Sequence, residues 1–355
     1  MNTTPRQAVE KVLRGGRDSK VPFTIYAGML SQCTTERLLR NRGLCMVQRQ
    51  VPAFLTHRPN VKCWQKTYDE NGVTYIRNYY ETPVGTLTSL DQPAGFTTWH
   101  HERMFKSPDD YKAILFMIQD EQYAPNYEAL AKAQEQVGED MIFRAGFGLE
   151  PMQTLVSGPY LETSQFCIEW MDHRDEILKL YHALVEKRRQ VYELVARAPV
   201  LHANYGGNVA PEIIGLEMFE KYYVPHYHEA AEIMHRHGKL IGCHFDANCR
   251  LLAKAIADTP LDYIEAFTPA PDTDMTLAEA RAAWPNKILW INYPSSVHLK
   301  PDAQVEAFTL AMLATLRTTD GLIIGITENI PPERWQGSCT AIMNALDQHA
   351  LKTVS

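Results

Sequence analysis

Eight consecutive residues, GCHFDANC from Gly242 to Cys249, set two thiols, an imidazole and a carboxylate side by side after the short apolar run KLI. A metal centre, a redox pair and a strand end facing water are the chemistries open to such a set. The two cysteines stand six apart, so no CxxC redox motif is formed. Asp246 and Asn248 have the residue types that cap a following helix, and Cys249 suits its first turn as a small apolar residue.

Further polar residues recur where apolar runs end. They are Glu150, His202, Asn204, Glu265, Asn292, Tyr293, Glu328 and Asn329. Carboxylates and a histidine brought together from neighbouring strand ends make a normal zinc set when the fourth position is left for water or substrate. Each also has an ordinary reading. His244 can be a hydrogen-bonded core residue, Glu265 can pair with an Arg or Lys across a barrel mouth, and Glu328 can be a solvated loop position. His226, His228, His235 and His237 fall on one helix and read as surface or packing residues.

The elements that must position these residues alternate. In the second half, APVLHAN, KLIGCHF, LDYIEAF, KILWIN and GLIIGIT read as strands, each followed by a helical segment. Those helices are expected over about 217–237, then CRLLAKAIAD, TLAEARAAW, DAQVEAFTLAMLATL and about 332–349, with Thr276 and Glu279 spaced as a capping box. Near-continuous apolar strands are buried on both faces, as in parallel sheets. VPFTIYA, LCMVQRQ and MIFRAGF add three candidates in the first half. The total is that of an α/β TIM barrel, whose catalytic groups sit at the C-terminal ends of its strands. A doubly wound open sheet is the alternative, but no GxGxxG follows a first strand. Residues 61–90 read as an antiparallel hairpin insertion turning at Asn71-Gly72, and 100–140 as two helices on one rim. One elaborated domain over 1–355 is the simplest organisation.

Composition narrows the function classes. The 355 residues are 45% hydrophobic and 22% charged, with net charge −7 and both signs mixed along the chain. No basic block marks a nucleic-acid surface, and no apolar run approaches a membrane span. The N-terminus MNTTPRQAVEKVLRGG is polar and helical, unlike a signal peptide. Seven scattered cysteines read as reduced thiols, so a cytoplasmic location is expected. A homodimer is compatible with this composition.

Three stretches carry a resemblance. They are GLEMFEKYYVPHYHEAAEIMHRHGKLIGCHFDAN (215–248), GLIIGITENIPPERW (321–335) and AGFGLEPMQTLVSG (145–158), joined by YETPVGTL (80–87) in the insertion. In these the chain resembles the uroporphyrinogen decarboxylase superfamily and, within it, the corrinoid-dependent methyltransferases of the O-demethylase type. The decarboxylases carry an Arg-rich RQAGR stretch near the first strand, where this chain has TIYAGML (24–30). The thiol-methylating branch binds zinc through His-x-Cys at the fifth strand and a cysteine at the eighth. Here His244-Phe245-Asp246 and Glu328 occupy those places.

That resemblance implies a zinc ion held by His244, Glu265 and Glu328. Oxygen ligands in place of thiolates would make it a harder Lewis acid, suited to an ether or alcohol oxygen. The expected reaction moves a methyl group from an O-methyl substrate, such as a methoxylated aromatic, to cob(I)alamin. Asp246 would orient His244 or act as a ligand, and Glu150, His202 or Tyr293 would protonate the leaving oxygen. No DxHxxG of a corrinoid-binding domain occurs, so the cobalamin would arrive on a separate carrier protein, with Trp99, Met104 and Phe105 as candidate contacts. Methyl transfer in the reverse direction, to tetrahydrofolate or another acceptor, a metal-free decarboxylase or lyase, and a non-catalytic corrinoid-binding subunit are the alternatives.

Overall fold

Each of the eight apolar runs forms a strand in the computed structural model, which describes residues 3–95 and 97–354. They are β1 (Phe23–Tyr26), β2 (Leu44–Gln48), β3 (Met141–Gly146), β4 (His202–Tyr205), β5 (Leu240–His244), β6 (Tyr263–Phe267), β7 (Ile288–Asn292) and β8 (Leu322–Ile326). All neighbours are parallel, and β1 pairs with both β2 and β8, so the sheet closes into a barrel. Closure removes free edges and directs alternate residues of every strand inward.

The interior is filled by unlike partners. Tyr263 and Trp290 extend into it and meet Cys45, Val47, Ile142 and Ile323. Glycine makes room for both aromatics. A Cβ on Gly242 would lie inside the Tyr263 ring, and one on Gly325 would crowd the Trp290 indole nitrogen and the Thr24 hydroxyl. That indole donates to Thr24 Oγ1 at 2.8 Å, so its polar atom is satisfied in the core. Val9, Val12 and Leu13 of the N-terminal helix Pro5–Leu13 join the same cluster. Thr4 and Gln7 start that helix with a capping box.

The contacts divide the chain into two compact units. The first, residues 1–53, 126–148 and 195–355, holds the barrel. The second, residues 54–125 and 149–194, holds the antiparallel strands. The hairpin expected over 61–90 is there and extends to four strands, Lys62–Glu70, Val73–Thr82, Gly85–Ala94 and Thr97–Glu102. Its first turn takes positive φ at Asn71 (52°) and Gly72 (78°), the turn that matches strand twist. Trp64 stacks on Tyr79 across the first pair, with ring centroids 3.8 Å apart. Both helices expected in 100–140 form, as Tyr111–Gln119 and Tyr127–Val137. The strand between them, Gln122–Pro125, pairs with Phe54–His57, a pairing the sequence did not announce.

The helix expected over 217–237 is two, Pro211–Tyr222 and Val224–Arg236. Pro225 lies in the first turn of the second, where its missing N–H costs nothing, and it stops the first from running on, because it has no N–H to donate and its ring would clash with the carbonyl four residues back. Among the described residues no helix is long and apolar enough to cross a membrane. The cysteines are all free.

Candidate active site

Glu265 is the centre of a polar cluster built from the C-terminal halves of β1, β3, β4, β5 and β6. Its side chain is about 1% exposed, and four groups converge on it. Tyr26 donates its hydroxyl to Oε1 at 2.5 Å, and Asn204 Nδ2 donates to Oε2 at 2.9 Å. His244 Nδ1 donates to Oε2 at 2.6 Å. Arg144 Nη1 lies 2.7 Å from Oε1 as an ion-pair partner, itself 7% exposed. A carboxylate offers about four lone-pair sites, and here each oxygen already has two polar neighbours.

Local backbone geometry aims this carboxylate. Between Glu265 and Phe267 the register with β7 shifts, and Ala266 takes φ 61°. A bulge of this kind re-aims a side chain next to it, at a cost of about 1–2 kcal/mol for a left-handed alanine. Asn204 is oriented in turn by Tyr263, whose hydroxyl donates to Asn204 Oδ1 at 2.6 Å. The same hydroxyl lies 2.8 Å from His202 Nδ1.

Electrostatics separate the two histidines. Burial by itself would lower His244, but the Glu265 carboxylate and Asp246 outweigh it and hold the imidazole up at about 9. His244 is therefore a cation at neutral pH. Its Nε2 faces Asp246 Oδ2 at 3.4 Å, and this edge is the wetter side of the cluster, with His244 19% and Asp246 26% exposed. Gly207, with φ 148°, lets the loop after β4 approach so closely that a Cβ there would meet His244 Cβ at 3.3 Å. His202 lies fully buried below, lowered to about 3 by burial and by the Arg144 charge, and so stays neutral. Its Nε2 has no hydrogen-bond partner among the described residues. Burial raises Glu265, but Arg144 and then His244 overcome that and hold it well below the usual carboxylate range.

The residues singled out by sequence are placed as follows. His244, Asp246 and Glu265 come together. Asn248 binds Glu212, and the Asp274 carboxylate accepts the N–H of Cys249, so Asp246 is not the cap of the next helix. Burial pushes the Cys249 thiol up, which makes it an inert bystander. Tyr293 is turned away. Its hydroxyl bonds Thr309 Oγ1 at 2.9 Å and the Val305 carbonyl on the helix Asp302–Ala314. Asn292 Nδ2 donates to Thr268, and its Oδ1 accepts from the N–H of Thr327. Glu328 is exposed and accepts from Ser295 Oγ at 3.2 Å. Glu150 belongs to the second unit, where it is fully buried at the start of the helix Pro151–Val156. In that unit Trp99 is 61% exposed, while Met104 and Phe105 are buried.

A zinc ion shared by His244, Glu265 and Glu328 does not fit this donor set. Both Glu265 oxygens and His244 Nδ1 are already engaged with each other and with Tyr26, Asn204 and Arg144. Glu328 is held by Ser295 outside the cluster. Among the described residues no three His, Cys, Asp or Glu side chains converge as a metal requires.

Sequence reasoning missed Tyr26, Arg144 and Tyr263. Arg144 left a signal, because a charge inside the otherwise apolar MIFRAGF must find a buried partner. Tyr26 and Tyr263 read as ordinary apolar strand residues and left none.

Compared with protein families and with curated proteins, the sequence matches none. Among solved structures, a methyltransferase from Methanosarcina mazei superposes with a TM-score of 0.59 at 11% identity, covering 98% of this chain and 99% of its own. At that identity the likeness speaks for a shared fold. Catalytic modules of the pneumococcal exo-beta-D-N-acetylglucosaminidase StrH reach a TM-score of 0.40 at 11% identity, covering 91% of this chain and 83% of theirs, too distant to bear on function.

Proposed function

We propose that this chain is a methyltransferase that takes a methyl group from the oxygen of a small O-methyl compound, with His244 as the acid that receives the leaving oxygen. The observation that carries the reading is the His244 imidazole, gripped by Glu265 at Nδ1 and set beside Asp246 at Nε2 on the wetter edge of the cluster. An ether oxygen is a poor leaving group until it is protonated or strongly hydrogen-bonded. A positioned acid supplies typically 100- to 10,000-fold in rate. The barrel shared with a methyltransferase across nearly the whole of both chains supports the reaction class.

In this reading the methyl–oxygen bond breaks as the acceptor's electron pair attacks the methyl carbon in line. The oxygen leaves as a hydroxyl, taking the proton from His244 Nε2. Asp246 orients the ring, and Glu265 stabilises its charge. Arg144 keeps Glu265 ionised, so the proton stays on the imidazole. His202 is neutral, and Tyr293 faces away, so neither serves as the acid. The resemblance supplies the acceptor, cob(I)alamin brought as a co-substrate on a separate carrier protein, and the donor class, a methoxylated aromatic. No step is assigned to zinc.

The test is a screen of methoxylated aromatics with free cob(I)alamin, following methylcobalamin by absorbance and the demethylated phenol by chromatography. The reading expects transfer from at least one donor and a loss of about 100-fold or more in His244→Ala. Absence of transfer from every donor, or full activity in His244→Ala, overturns it. Stoichiometric zinc that is lost on His244→Ala would restore the metal account.

A further inference from the structure

Arg49 stands just past the end of β2, in register with the inward-facing Cys45 and Val47 of the barrel interior. Alternation along the strand therefore turns its side chain toward the barrel mouth above Val47. Its guanidinium carbon lies 3.9 Å over the centre of the Tyr26 ring, and that of Arg144 lies 5.2 Å from the same centre. The hydroxyl of this ring is the one bound to Glu265, and it lies 3.5 Å from His244 Nδ1. One aromatic ring thus joins an exposed guanidinium to the proton-bearing cluster.

The charges of the mouth do not balance. Arg144 is matched by Glu265, and His244 by Asp246. Arg49 has no carboxylate partner among the described residues. A guanidinium seated over an aromatic face leaves N–H groups to donate outward, and its planar edge matches a carboxylate with two parallel hydrogen bonds. The contact with the Tyr26 ring also restrains the side chain before binding, which lowers the ordering cost.

Resting on the methyl-transfer reading, we propose that Arg49 anchors a carboxylate on the methyl donor, so that the substrate class is anionic, a methoxylated aromatic acid, and neutral ethers are poor ligands. The carboxylate would sit on Arg49 across the Tyr26 ring, leaving the ether oxygen to reach His244.

Binding, measured without any acceptor, tests this apart from turnover. Calorimetry on the full chain compares each ring isomer of methoxybenzoate with its methoxybenzamide, for the wild type, Arg49→Ala and Arg49→Lys. The expected result is that at least one benzoate binds about tenfold or more tightly than its amide. Arg49→Ala should erase that ratio, and Arg49→Lys should keep part of it, with all three proteins melting alike. If no benzoate outbinds its amide, or the ratio survives Arg49→Ala, the proposal is overturned. Arg49-dependent carboxylate binding with no methyl transfer would sustain this assignment and sink the reaction. Transfer from neutral ethers at full rate in Arg49→Ala would do the reverse.

Discussion

Glu265 satisfies two cations and two neutral donors with two oxygens, so its charge is the keystone of the cluster. Glu265→Gln keeps the shape and removes the charge, leaving Arg144 buried without a counter-ion. Breaking a buried pair from one side costs about 3–5 kcal/mol, so a fall in stability of that size is expected in urea unfolding. The same change should let His244 lose its proton at a lower pH. Glu328→Ala, at an exposed position that accepts from Ser295, should change stability by less than about 0.5 kcal/mol and leave methyl transfer intact. A large activity loss there would speak for a metal ligand. His244 also links stability to pH. Its folded value of about 9 stands above the ordinary 6.5. Its contribution is therefore complete below pH 6.5 and is lost as pH rises through 9. His202 acts oppositely, because its folded value of about 3 makes it oppose folding as pH falls from 6.5. Unfolding midpoints should decline between pH 7 and 9 in the wild type and flatten there in His244→Asn.

The strands were legible in the sequence because each is buried on both faces and reads as an unbroken apolar run. What the runs do not disclose is which residues need space across the barrel. Gly242 and Gly325 look like weak points in strands until Tyr263 and Trp290 are seen to occupy the room they leave. Gly242→Ala should cost about 1–3 kcal/mol by overpacking, read as a lowered melting temperature with the barrel's circular dichroism retained. The capping box at Thr276 and Glu279 formed as its spacing implied. The break at Tyr223 was carried by Pro225, a signal present in the sequence but outweighed by the apolar periodicity running through it. The bulge at Ala266 had no signal, since alanine is indifferent to its neighbours in a strand and takes positive φ only when tertiary pairing imposes it.

At the scale of the molecule, the closed barrel followed from alternation and strand count, while the site followed only in part. His244, Asp246 and Glu265 could be named because barrel chemistry gathers at strand ends. A metal shared with Glu328 does not fit the lone pairs, as Glu265's oxygens are engaged by Tyr26, Arg144, Asn204 and His244. Those partners come from four other strands, and sequence order does not disclose which side chains meet across a barrel. The division into two units was equally hidden, because the segments of the second are separated in the chain by a barrel strand. The account rests on one proton, the one shared between His244 and its two carboxylates. Nitrogen-15 NMR of histidine-labelled protein, with the His244 signals identified by their loss in His244→Asn, measures it directly. The imidazole is predicted to remain cationic through pH 7 and to titrate near 9. A neutral ring at pH 7, titrating at or below the ordinary 6.5, would contradict the account.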